Sequence, residues 1–343
     1  MSAALKVVAP GLHTTVQDLG RYGYQAVGVP VSGALDSLSF RLANRLAGND
    51  DNTAALEILY QGPALEVAAD SLRVALAGGD AELERLGEGG RSVGGWRSLR
   101  LTRGESFRVR GPSETACCYL AVEGGFALPP CLGSASTYAR GGFGGFGGRA
   151  LQSADLLPLA RESVVERTEL ALPQPLPPAR DQTIRVILGP QADHFTDAAL
   201  ALLLDSVFRV SKDADRMGLR LDGPQLVHRD GYNIASDGIA TGAIQVPGSG
   251  QAILLLADHQ TTGGYPKIAT VISADLPVAG RRRPGDQVRF AAIEVEEAEA
   301  LRRAQEAALA ALSASFVPAA AAGLDHARLY DLNLISGVVS GHE

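Results

Sequence analysis

Short apolar runs alternate with turn formers along the whole chain. Leucine-rich and β-branched stretches such as Leu72–Ala77, Ser106–Val109, Cys118–Val122, Thr183–Leu188, Ala252–Leu256 and Gln287–Phe290 are separated by Gly, Pro, Asp and Asn. Several alternate apolar with polar residues, the period-two signature of half-buried strands. Turn signals recur roughly every ten residues, a spacing that predicts barrels or sandwiches. Helical spacing is confined to three places. Over Ala34–Gly48, Leu35, Leu38, Leu42 and Leu46 fall on one face, with Ser32 ahead as a candidate N-cap and Gly48 behind as a candidate C-cap. Ala192–Leu204 predicts a second helix, and the Ala/Glu/Arg-rich Glu294–Leu312 a third. The expected fold class is mainly β with a few short helices.

The best linker is the stretch 166–180. Its prolines Pro173, Pro175, Pro177 and Pro178 cannot occupy a central strand. It divides the chain into a first β-barrel domain, 1–165, and a second, 181–295, followed by the C-terminal helix and a tail to 343. Val29-Pro30-Val31-Ser32-Gly33 and Val246-Pro247-Gly248-Ser249-Gly250 are faintly alike, as two related barrels would be. The tail over 326–343 (HARLYDLNLISGVVSGHE) is mixed in character, so it is expected to pack on the body or on a partner.

Composition narrows the function classes. The length, 343 residues, suits two domains. A formal charge of −7 argues against a nucleic-acid protein, which normally carries a basic face. No apolar run approaches the roughly 20 residues that span a bilayer, and the start carries no leader-like pattern. A cytoplasmic protein with no membrane partner is expected. Cys117, Cys118 and Cys131 offer neither a good disulfide pair nor a zinc cluster, and read as reduced small hydrophobes in strands.

Four stretches could carry chemistry. In the first, Thr14–Arg21, Gln17, Asp18 and Arg21 either face a ligand or form a turn in which Asp18 accepts backbone N–H bonds and pairs with Arg21. The second is the Gly-rich stretch from Leu132 to Arg149. It lacks a P-loop ending and serves either as a lid or as a tight structural turn. In the third, Asp215–Leu221, Arg216 and Arg220 could hold a carboxylate or phosphate, or form a surface ion-pair patch. The fourth joins Ser236-Asp237-Gly238 and Gln245 to Asp258–Lys267. It crowds Gln260, Thr261, Thr262, Tyr265 and Lys267 at the end of an apolar strand, as a small polar substrate requires. His259 invites a base role but is more simply a hydrogen-bonded neighbour.

These stretches also carry a family resemblance. PGLHTTVQDLGRYG (10–23), GVPVSGALDSLSFRLANRLAGN (28–49), LGSASTYARGGFGGFGGRAL (132–151), GPQADHF (189–195), DRMGLRL (215–221), DHQTTGGYPKIATVISADL (258–276) and PGDQVRF (284–290) resemble, in order, the biotin-dependent carboxyltransferase or allophanate hydrolase subunit 2 family. That family includes the C-type subunit of 5-oxoprolinase, a regulator of a sporulation kinase and the carboxyltransferase region of urea carboxylase. The resemblance implies two cyclophilin-like β-barrels. It implies a hydrolase that opens 5-oxo-L-proline to L-glutamate with ATP and Mg²⁺, acting with the B-type subunit of 5-oxoprolinase as a close partner and with the A-type subunit. Arg216, Lys267 and Gln260 would then be catalytic. Gln17, Asp18, Arg21, Arg220, Thr261, Thr262 and Tyr265 would bind substrate. No protein metal ligands are implied. The alternatives are a biotin-dependent urea or amide carboxyltransferase component, and a non-catalytic regulator that binds a kinase-inhibitor partner. Biotin could be received but not carried, since Met1 and Met217 are followed by Ser and Gly rather than Lys.

Overall fold

Strand Cys117–Val122 is buried along its whole length, and its period-two geometry sends alternate side chains into two different cores. Cys118, Leu120 and Val122 enter a core within the first half of the chain. Cys117, Tyr119 and Ala121 enter a core shared with the second half. Its neighbours follow the same parity. Leu56, Ile58, Leu72, Val74 and Leu76 point to the inner core, and Ala55, Leu59, Ala75 and Ala77 to the shared one. Such doubly buried strands read as continuous apolar runs rather than as alternation.

A computed structural model describes residues 3–87, 90–176 and 182–319. The architecture is mainly β with few helices, as the sequence predicts. In the first half, a six-stranded sheet faces a seven-stranded one across the inner core. The second half is built on an eight-stranded sheet whose two edge strands, Gln287–Val288 and Phe290–Ala292, are separated only by Arg289. Edges that close in sequence force the sheet to curl into a nearly closed barrel. A small ribbon pairs Asp237–Gly238 with Thr262–Gly263.

The three helices that the sequence predicts form with shifted ends, and a further short one, Leu276–Gly280, lies between the second and third of them. The first is Ser37–Ala47, capped by Asp36, whose side chain accepts from the N–H groups of Leu38 and Ser39, and closed by left-handed Gly48. Ser32 is therefore not the cap; it lies four residues too early, at a φ of 55°. The second helix is Asp197–Asp205, because Thr196 caps it and residues Ala192–His194 form a separate short turn. The third is Val295–Ala314. Cys117 and Cys118 lie in a strand, but Cys131 sits in a loop, bridged to Ser134.

The stretch expected to be a linker passes through a sheet. Leu170–Ala171 pairs with Arg97 on one side and with Val317–Pro318 on the other. The chain beyond the last helix thus returns to the first half. Pro177 and Pro178 of the linker, and the tail 326–343, lie outside the described residues.

Candidate functional site

Between the halves lies a cleft of about 280 Å³. Strand parity decides which side chains face it. Thr15 pairs directly with Glu57, and His13 with Leu59, so these side chains share the face turned toward the second half. Glu57 is wholly buried there. A buried carboxylate needs a cation and hydrogen-bond donors. Glu57 accepts from the Leu35 N–H at 2.9 Å, from the Tyr119 hydroxyl at 2.7 Å and from the Arg216 guanidinium of the other half.

Arg216 is held from three sides. Its Nε donates to Asp258 at 2.8 Å, its Nη1 to Glu57, and its Nη2 to the Gly33 carbonyl at 2.8 Å and to Asp258 at 3.1 Å. Burial alone would lower the guanidinium, but the carboxylates of Asp258 and Glu57 outweigh it and hold Arg216 above its ordinary value. Arg216 is fixed as a permanent cation lining the cleft. A second buried pair, Arg281 with Asp36 at 2.5 Å, ties the helix cap to the second half.

The rest of the wall is mostly apolar, including Leu12, Leu35, Leu59, Met217 and Leu256. His13 also lines it, and its Nδ1 is buried without a hydrogen-bond partner. Burial, and then the charge of Arg216, keep the His13 imidazole below its ordinary pKa and hence neutral. At the mouth, Arg140 of the Gly-rich stretch pairs with Asp215 of the second half at 2.9 Å, both more than half exposed.

The residues singled out in the sequence fall into four places. Of them, Arg216 lines the cleft. Gln17, Asp18 and Arg21 are buried against the Gly-rich stretch, which merges the first two constellations into one. Asp18 accepts from the hydroxyls of Ser134 (2.7 Å) and Ser136 (2.5 Å) and from the N–H groups of Ala135 and Gly20. Arg21 donates to the carbonyls of Cys131 and Ser136 and stacks over Phe143 at 5.0 Å. Gln17 donates to Thr15 and to the Thr137 carbonyl. No bond joins Asp18 to Arg21; both fasten the Gly-rich loop and meet at Ser136, Asp18 through its hydroxyl and Arg21 through its carbonyl.

The third place is the ribbon. Lys267 is 2% exposed, and its Nζ donates to Asp237 at 3.0 Å. Gln260 donates to Gln245 at 3.1 Å. Thr261 is buried, while Thr262 and Tyr265 are exposed. His259 bonds Thr241 and the Gln260 carbonyl, and burial lowers its pKa. None of these lines the seam cleft. Arg220 is exposed in a separate shallow depression beside Lys212 and Asp222.

Sequence reading did not single out Glu57, His13, Asp36 or Arg281. The signal for Glu57 was present as a lone charge inside the apolar run ALEIL. Arg73, inside LRVALA, gives the same signal; it is fully buried and paired with Glu123 and Glu169.

The pattern of the carboxyltransferase domain, subdomains A and B, matches residues 27–292. The chain is 37% identical to the C-type subunit of 5-oxoprolinase from Escherichia coli over 302 residues, covering 88% of this chain and 95% of that protein. The solved urea carboxylase of Kluyveromyces lactis superposes with a TM-score of 0.81 at 30% identity, over 91% of this chain and 29% of that one. The solved protein TTHA0988 superposes with a TM-score of 0.75 at 38% identity, over 84% of this chain and 56% of that one. The chain thus spans only part of these two solved chains.

Proposed function

The chain belongs to the family of carboxyltransferase domains, subdomains A and B, and from that premise we propose that it works as the C-type subunit of an ATP-dependent 5-oxoprolinase. In this reading it joins the A-type and B-type subunits, and the complex opens 5-oxo-L-proline to L-glutamate as ATP is hydrolysed to ADP and phosphate. The observation that carries the reading is the near end-to-end correspondence with a relative of that name. The seam cleft supports it, because its volume suits a small ring and its buried cation suits an amide under attack.

The chain's own part follows from the cleft. Opening a lactam places negative charge on the carbonyl oxygen, and a preorganised donor in a dry site stabilises that charge far better than water does. Arg216, locked by Glu57 and Asp258, is such a donor. The cleft does not fit a nucleotide triphosphate. Its wall is mostly apolar, its volume is small, and the buried Arg216 is already held in ion pairs. Among the described residues, no three His, Cys, Asp or Glu side chains converge to hold a metal. In this reading ATP with its Mg²⁺ serves the complex and binds outside this cleft. No helix among the described residues is long and apolar enough to cross a membrane.

The test mixes this chain with the purified A-type and B-type subunits, ATP, Mg²⁺ and 5-oxoproline, and measures glutamate. Glutamate that depends on this chain is expected. None beyond the mixture lacking it would overturn the proposal. The likeness to urea carboxylase motivates a second arm with urea and a biotin-bearing carrier. Carboxylated product there, without glutamate in the first arm, would favour the carboxyltransferase reading.

A further inference from the structure

We propose that the seam cleft is a lactam-carboxylate site. The Nδ1 of His13 accepts the ring N–H, an N–H of Arg216 donates to the ring carbonyl, and Arg140 takes the carboxylate at the mouth. The inference deepens the reading above and rests on it for the identity of the reaction, but not for the binding.

Three observations carry it. His13 Nδ1 is a buried ring nitrogen without a hydrogen-bond partner, on the wall of a cleft. Buried polar atoms are nearly always satisfied, so one left open on a cavity wall is a position for a ligand atom. Arg216 commits four N–H contacts to Asp258, Glu57 and Gly33, out of the five N–H groups that a guanidinium carries. The wall between these groups is apolar, with Leu12, Leu35, Leu59 and Met217 suited to ring methylenes.

The shape of the ligand follows from that pairing. In an open-chain amide the N–H and C=O point in opposite directions, because the bond is trans. A five-membered lactam is forced cis, so its donor and acceptor sit side by side on one edge. One acceptor and one donor on one cleft match that edge. A neutral ring, held so by burial and by Arg216, supplies that acceptor at Nδ1 when its proton sits on Nε2.

The mouth selects for charge. The Arg140–Asp215 pair is more than half exposed on both sides, and such pairs contribute little in water. An entering carboxylate can take the place of Asp215 at low cost. Arg140 is carried by a stretch whose backbone turns through left-handed glycines at 142, 144, 145, 147 and 148, so the guanidinium rides on a loop rather than on a strand.

The experiment titrates the full chain, alone and assembled with the A-type and B-type subunits, with three probes. They are 5-oxoproline, 2-pyrrolidinone and N-methyl-2-pyrrolidinone. Histidine ring signals are followed by NMR, with the His13 signal assigned from a His13→Phe variant. Both N–H lactams should move the His13 signal. The N-methyl compound should bind about tenfold more weakly, the loss of one buried hydrogen bond. Arg140→Ala should weaken 5-oxoproline by about tenfold and leave 2-pyrrolidinone unchanged, since only the former has a carboxylate. The N-methyl comparison uses the unaltered protein, so it stands even if His13→Phe folds poorly. A His13 signal unmoved in both preparations, or equal binding of the N–H and N-methyl lactams, would overturn the site. Lactam binding that moves His13, in a complex that makes no glutamate, would instead remove the proposed reaction and keep the site.

Discussion

Glu57, Arg216 and Asp258 form a buried triad that spans both halves, and its removal has a definite sign. Arg216→Met would strand two buried carboxylates, and breaking a buried pair in this way costs about 3–5 kcal/mol. The loss is expected as a drop in the urea midpoint at unchanged slope, and Glu57→Leu added to it should restore part of the midpoint. A single-variant loss below about 1 kcal/mol would mean that the carboxylates reach water. Two imidazoles, half-buried His13 and buried His259, give a pH dependence. His13 and His259 both sit below the ordinary value of 6.5. The unfolded chain therefore binds protons that the folded chain refuses, and stability is full above about pH 6.5 and falls as pH drops through the folded values. Urea midpoints should decline between about pH 7 and 5.5, less steeply in His13→Gln; a flat profile would count against the neutral rings. Lys267→Ala, by contrast, touches the ribbon and not the cleft, and turnover of the assembled complex is expected to stay within about twofold. At this scale the sequence disclosed residue types rather than neighbours. Arg216 was legible because it sat beside other charges. His13 was passed over because nothing local marks a lone histidine at a strand start as facing a cleft.

The helix Ser37–Ala47 shows what an element reveals about itself and what it leaves to its surroundings. Its apolar spacing and Gly48 were readable in the chain, since both are local. Its cap was not, because Ser32 and Asp36 are both capping types, and the choice between them depends on the pairing of Asp36 with Arg281, 245 positions away. Asp36→Ala should lose the cap, about 1 kcal/mol, and also leave Arg281 buried without its partner, for a total of about 3–5 kcal/mol. Asp36→Asn retains a capping oxygen and should recover only the smaller share. Ser32→Ala should change the unfolding free energy by less than about 0.5 kcal/mol, since its buried hydroxyl makes no hydrogen bond. A larger loss for Ser32→Ala than for Asp36→Ala would reverse the assignment. The strands were legible for a similar reason and misread in one respect. Alternation implies one wet face, whereas Cys117–Val122 and Ser71–Ala77 are dry on both, because a second half packs on the outside of the first.

The whole molecule turns on that packing. A Pro-rich stretch suggested two bodies on a tether, and composition alone cannot show that one hydrophobic core takes side chains from both sides of it. That core joins Phe40, Leu42, Leu46 and Tyr119 to Ile184, Phe208, Leu254 and Ile268. Backbone bonds cross as well, from the Ser32 N–H to the Ala257 carbonyl at 3.0 Å and from the Ala116 N–H to the Arg281 carbonyl at 2.8 Å. The return of Val317–Pro318 to the first half's sheet adds a further clasp. Halves held this way should unfold together. Trp96, the single tryptophan, is buried in the shared core with its indole N–H bonded to the Gly79 carbonyl, so its fluorescence reports that core, while far-UV circular dichroism reports the strands and helices of both halves. The two signals are expected to give one urea midpoint, the sign of a single cooperative unit. Gly280 offers the means to loosen it. A Cβ at that position would overlap the Leu35 carbonyl across the seam, so Gly280→Ala should force the halves apart and lower the shared midpoint. If the two probes already separate in the unaltered chain, or if Gly280→Ala leaves the midpoint where it was, the seam is not a core but a contact. The rigid placing of Arg216 against Glu57 would then lose its foundation.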